Sequence, residues 1–179
     1  MTLITKGIFM ACAISILTNM GLTNHIPKIA DSTKEATMSN GEKNVQVMMQ
    51  IFEAVEQRDP KHVDVEKQRL LFQPDVEFRW PSSLPYGGVT RGLTHPGPNW
   101  SDTWNPLQPT CAERRMNPRV VAANDHEVVV LWHQRGLSPK GARFDTEVLG
   151  LYELRDAKLA RAQMFYFDEE ATSRFLSGN

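Results

Sequence analysis

The C-terminal half of the chain is a run of short alternating segments joined by turns too brief to hold a helix. This feature ties the fold to a sheet. Candidate strands lie at 113–123, 127–135, 143–154 and 158–167. Asn124-Asp125, the loop from Gly136 to Gly141, and Arg155-Asp156-Ala157 supply the turns between them, rich in residues that reverse a chain. Strands joined by so few residues pair antiparallel, because a parallel pair needs a crossover of a dozen residues or more. Asp168 then opens a short closing helix through Phe175, ended by Gly178.

The 143–154 strand carries a second constraint. Val148, Gly150 and Tyr152 alternate with Leu149 and Leu151, so both faces are apolar at its centre and both need a cover. Helices and a pocket would cover one face. The other calls for a second subunit or for the chain's own 81–110 loop.

Ahead of the strands, Ser39 and Glu42 have capping-box spacing. Val45, Met48, Phe52 and Val55 then recur at three- and four-residue intervals, with Glu53, Glu56 and Arg58 elsewhere, predicting an amphipathic helix. Asp59-Pro60 ends it and starts a more polar helix reaching about Leu71. Val76 to Trp80 alternates as a strand and stops at Pro81. Residues 81–110 hold six of eleven prolines and four of eleven glycines, which forces loops. One short helix, Trp100 to Asn105, fits inside.

Residues 1–40 read differently. Only Phe9 of the fifteen aromatic residues lies there, and no charged side chain interrupts the stretch between Lys6 and Lys28. The apolar centre, Gly7 to Leu17, is too short to span a bilayer comfortably but fits the apolar region of a secretory signal. Small residues before a cleavage point are poorly placed, and Met38-Ser39 would serve equally as the true start. The location stays open between an exported or membrane-associated protein and a cytoplasmic one.

Composition excludes several functions. Twenty basic and 21 acidic side chains give a net charge of −1, without the clustered basic excess that nucleic-acid binding needs. Cys12 and Cys111 cannot build a disulfide framework or a cysteine-rich zinc site. The five histidines show no His-Glu-x-x-His spacing, and there is no glycine-rich phosphate loop. Neither a metal nor an organic cofactor is expected.

Two stretches resemble a known family. Phe72-Gln73-Pro74-Asp75-Val76-Glu77-Phe78, following two helices, is similar to the entry into the first strand of SnoaL-like proteins. Leu151 to Leu159, continuing to Phe167-Asp168, resembles that family's last pair of strands, with Ala157 where the family usually has glycine. The resemblance spans residues 42–177. It implies an α+β domain of the nuclear transport factor 2-like superfamily. A curved antiparallel sheet and the first helices would form a cone around a pocket, with a homodimer through the sheet's outer face.

The family's catalytic positions are not retained. The isomerase members' aspartate base falls on Trp80, their helix tyrosine on Ile51 and their late-strand acid on Gly150. The cyclase members' histidine and aspartate fall on Gly150 and Met164. These side chains cannot shuttle a proton. The expected pocket is instead aromatic: Phe78 and Trp80 from the first strand, Gly150 and Tyr152 from a late one, Met164 and Tyr166 from the last. Tyr86, Trp100 and Trp104 would stand at its mouth. The expectation is a site for a small apolar molecule. The alternatives are a cone filled by Trp80 and Met164, and an isomerase, cyclase or dehydratase using relocated groups: His133, Tyr166 or Asp168. Each relocated group has a plainer role, Asp168 as a helix cap and His133 as a structural strand residue. Glu147 alternates away from the pocket, His126 sits in a turn, and Cys111 suits a buried small residue.

Overall fold

Helix α1 (Asn40–Glu56) begins where the capping box places it. The Ser39 hydroxyl accepts from the Glu42 N–H, and the Glu42 carboxylate accepts from the Ser39 N–H at 2.8 Å. These bonds satisfy backbone donors that an α-helix leaves open at its start. The computed structural model describes residues 38–57, 69–93 and 106–178. The expectations placed on the leader up to residue 37, on the helix starting at Pro60 before residue 69, and on the 100–105 helix lie outside the described residues.

Six strands follow: β1 (Phe72–Trp80), β2 (Gly88–Arg91), β3 (Arg119–Ala123), β4 (Glu127–Leu137), β5 (Arg143–Arg155) and β6 (Lys158–Tyr166). They form one sheet in the order β2-β1-β6-β5-β4-β3. Each turn-connected pair from β3 to β6 is antiparallel, as the short turns require. One pairing departs from a purely antiparallel sheet: β1 runs parallel to β6. Strands far apart in sequence are free of the hairpin rule, so the sheet is mixed. Register shifts within β1, between Val120 and Ala122 and between Glu153 and Leu154 accompany the curvature of this open sheet.

The expected strand at 113–123 starts only at Arg119. Residues 109–115 leave the sheet edge as a turn, with the Arg114 N–H donating to the Thr110 carbonyl at 2.9 Å and Asn117 at φ 48°. On either side of this excursion the chain still lies along β4. Gln108 N–H donates to the Arg135 carbonyl at 2.9 Å, and His133 N–H to the Met116 carbonyl at 2.8 Å.

Strand alternation sorts the two faces of the sheet. Val128, Val130, Trp132 and Gln134 on β4, with Val148, Gly150, Tyr152 and Leu154 on β5, are buried, while their neighbours are part-exposed. Met48, Ile51 and Phe52 of α1 are buried in the same core, and the Phe52 ring meets Trp132 at 6.1 Å and Tyr152 at 5.9 Å. Helix α2 (Glu169–Leu176) closes the far end. Its Phe175 stacks on Phe144 at 4.9 Å and lies against Gly136, where any Cβ would collide with the ring.

Between β1 and β2 the chain reverses through Pro81 to Gly87. Leu84 N–H donates to the Pro81 carbonyl at 3.1 Å and Gly87 N–H to the Leu84 carbonyl at 2.8 Å. Gly87 lies so close to the Pro81 carbonyl that no side chain fits there. This turn carries Tyr86 back under the sheet, where it is 7% exposed.

Candidate functional site

Aromatic rings from β1, the following turn and β6 form a contiguous group. Phe78 stacks on Trp80 with centroids 5.5 Å apart, and Trp80 meets Tyr86 edge-on at 6.2 Å. Tyr86 in turn donates its hydroxyl proton to the Tyr166 hydroxyl at 2.8 Å. Trp80 is half-buried rather than fully inside the core. Phe78 and Trp80 lie at positions that alternate with Glu77 and Arg79. Those two charges pair with each other, and Arg91 of β2 joins Glu77 at 2.8 Å.

Tyr152 and Tyr166 are both nearly inaccessible, as is Met164 beside them. Burial pushes the Tyr86 and Tyr152 phenols well above the usual range. For Tyr166 burial acts together with the neighbouring Tyr86 and Tyr152. A phenol in so dry a setting stays neutral at ordinary pH, able to donate and accept hydrogen bonds. The Trp132 indole N–H offsets part of the Tyr152 shift, yet it is buried without a hydrogen bond of normal geometry. Gln134 Oε1 is likewise buried without a partner, two positions along the same face of β4. Trp132 and Gln134 were not among the residues picked out in the sequence, and Phe52 was picked out only as part of the helix stripe. The period-2 pattern running from Val128 and Val130 into Trp132 and Gln134 was the signal that could have found the first two.

The other sequence candidates lie elsewhere. His133 faces the opposite side of the sheet, its Nδ1 2.7 Å from Asp145 Oδ1, while Arg135 Nε donates to Asp145 Oδ2 at 2.8 Å. Burial works to raise Asp145, but these two donors outweigh it and hold the carboxyl below its ordinary range. Asp168 caps α2, accepting from the Ala171 N–H at 2.7 Å. Cys111 is exposed, contrary to its expected burial, because it sits in the excursion that leaves the sheet edge. Trp100 and Trp104 lie outside the described residues. Among the described residues no group of histidine, cysteine, aspartate and glutamate converges as a metal site would. No helix among them is long and apolar enough to cross a membrane.

The buried positions of β4, β5 and β6 hold no histidine, carboxylate, lysine or arginine. The buried charges elsewhere are engaged outside this face. Glu113 accepts from Thr110 and Arg143, and Arg114 reaches the Glu56 and Pro109 carbonyls at 3.4 Å. Chemically, the arrangement offers apolar surface and neutral hydrogen-bonding groups.

On the outer face, Leu131, Leu149, Leu151 and Phe165 make an apolar patch, with Phe165 44% exposed. His133, Glu147, Glu153 and Arg161 stand around it.

The sequence matches no protein-family model and no curated protein. Solved structures do match. Bal32a, from a soil-derived mobile gene cassette, is 13% identical with a TM-score of 0.60, covering 77% of this chain and 99% of its own. An NTF2-like protein from Burkholderia xenovorans is 18% identical with a TM-score of 0.58, covering 75% of this chain and 95% of its own. A provisionally assigned SnoaL-like polyketide cyclase from a Jannaschia species is 15% identical with a TM-score of 0.53, covering 73% and 90%. Identity this low establishes architecture only. The helix-backed, curved and unclosed sheet is therefore the nuclear transport factor 2-like fold, shared with SnoaL-like proteins.

Proposed function

We propose that residues 42–177 form a small-molecule-binding domain, whose ligand is largely apolar and lies against the aromatic side of the sheet. The observation that carries this reading is the buried Tyr86–Tyr166 hydroxyl pair beside the Phe78–Trp80 stack. Binding sites for such ligands combine apolar walls with a few placed polar groups. Tyr152, the Trp132 N–H and the Gln134 carbonyl would supply more of them.

An enzyme with relocated acid–base groups needs a base as well as an acid. His133 faces away from the tyrosines and Asp168 is engaged as a cap, which leaves Tyr166 as a donor without a base. Binding without proton transfer is the better-supported function. We further propose that the outer apolar patch pairs two copies of the chain.

A thermal-shift screen of small apolar compounds tests the reading. A saturable rise in Tm is expected from ligand bound to the native state, with affinity falling in Trp80→Ala and Tyr86→Phe. Failure of every aromatic and aliphatic class to shift Tm, or equal affinity in both variants, would overturn it.

A further inference from the structure

A concavity lies where β4 and β5 meet the 109–117 segment. It is a cleft of about 520 Å³, within the size range of small-molecule sites. Three guanidinium groups from three separate stretches of chain line it: Arg115, Arg135 and Arg143. Phe144 and Gly136 add an apolar floor, and Phe144 is held in place by its stack on Phe175.

Two of the arginines are already oriented. Arg135 is fixed through Nε by Asp145 and donates another N–H to the Arg115 carbonyl. Arg143 is tied to Glu113, whose carboxylate is also bound by Thr110. The Thr110 hydrogen bond is the main cause holding Glu113 below the usual carboxylate range, so both carboxylates are ionised at neutral pH. Asp145 is shared with His133 as well. The exposed Arg115 side chain makes no hydrogen bond or ion pair among the described residues. Three positive charges against two negative ones leave the cleft with an unsatisfied cation. A guanidinium presents its donors as a planar fork that matches carboxylate and phosphate oxygens.

We propose that this cleft binds the oxyanion of a small molecule carrying a carboxylate or phosphate group, with Arg115 as its main partner and Arg135 and Arg143 held ready beside it. The site is separate from the aromatic interior and does not depend on what binds there. It also lies beyond the outer apolar patch, since Arg135 is four residues further along β4 than Leu131.

Calorimetric titration of the full chain with inorganic phosphate and with benzoate, at constant ionic strength and with chloride as reference, tests the proposal. Saturable binding of at least one probe is expected, phosphate alone pointing to a phosphate ester and benzoate alone to a carboxylate over the Phe144 floor. Arg115→Gln should weaken binding by about tenfold or more, since a charge-assisted hydrogen bond is removed, while Tm stays unchanged. Arg115→Lys should recover only part of the affinity, because an ammonium lacks the fork. Neither probe binding more than chloride does, or wild-type affinity in Arg115→Gln, overturns the proposal.

Discussion

The ring of Tyr152 lies across Gly150, filling the space that a Cβ at residue 150 would need. Phe52 meets that ring edge-on from α1, so it has little freedom to step aside. Glycine at 150 is thus a packing requirement, because a neighbour's phenol fills the space that any side chain at this position would take.

Gly150→Ala should destabilise the domain by about 1–3 kcal/mol, the usual cost of overfilling a packed core. Urea denaturation of Gly150→Ala, Tyr152→Leu and the double variant checks the cause. The alanine should cost markedly less where the ring is gone, and strict additivity would argue against the contact.

All three tyrosines of the chain, Tyr86, Tyr152 and Tyr166, are buried with raised phenol pKa values. A raised native value means that the unfolded chain releases these protons first. Stability is therefore unaffected by them below the ordinary phenol value of about 10 and falls as pH rises beyond it. Ultraviolet titration should show tyrosinate appearing together with unfolding. Ionisation of even one tyrosine near its ordinary value in the folded protein would contradict the burial described.

The β5–β6 turn places both Asp156 and Ala157 in the left-handed region, at φ 53° and 54°. Alanine there carries a steric cost that glycine does not, of about 1 kcal/mol or slightly more. Ala157→Gly should stabilise the domain by up to about 1 kcal/mol after its greater unfolded-state entropy is counted. A higher urea midpoint with an unchanged slope is the expected result.

Phe165, opposite Leu149 on the outer face, is too exposed to serve the core. If the patch pairs two copies, Phe165→Glu should give a monomer by sedimentation, with little change in the monomer's fold by circular dichroism. A wild-type protein that sediments as a monomer at micromolar concentration would remove the proposed interface.

Much of this architecture was legible because the signals were local. Ser39 and Glu42 marked the start of α1, Asp168 the start of α2, and the turn residues bounded β4, β5 and β6 to within two residues. What escaped the sequence depends on contacts across the chain. The parallel β1–β6 pairing has no local signature. The start of β3 was misplaced because the segment leading into it is also tied down by distant groups, Glu56 of α1 and Arg135 of β4, which its own residues do not announce. His133 and Trp132 could not be assigned to opposite faces from their own neighbourhood. The pattern had to be carried down from Val128 and Val130. For the site, the aromatic residues announced themselves, whereas the arginine cleft gathers residues whose meeting only the folded chain reveals.

The parallel seam between β1 and β6 also sets the order in which the molecule can be completed. Its partners, such as Phe78 and Ala162, lie more than eighty positions apart in sequence. During synthesis the β1–β2 hairpin must therefore wait, one edge unpartnered, until the last strand has emerged. Contacts of such long range slow folding, and exposed strand edges invite pairing with other chains. Loss of the final twenty residues would leave β1 no strand to join and two separate fragments of sheet in place of one.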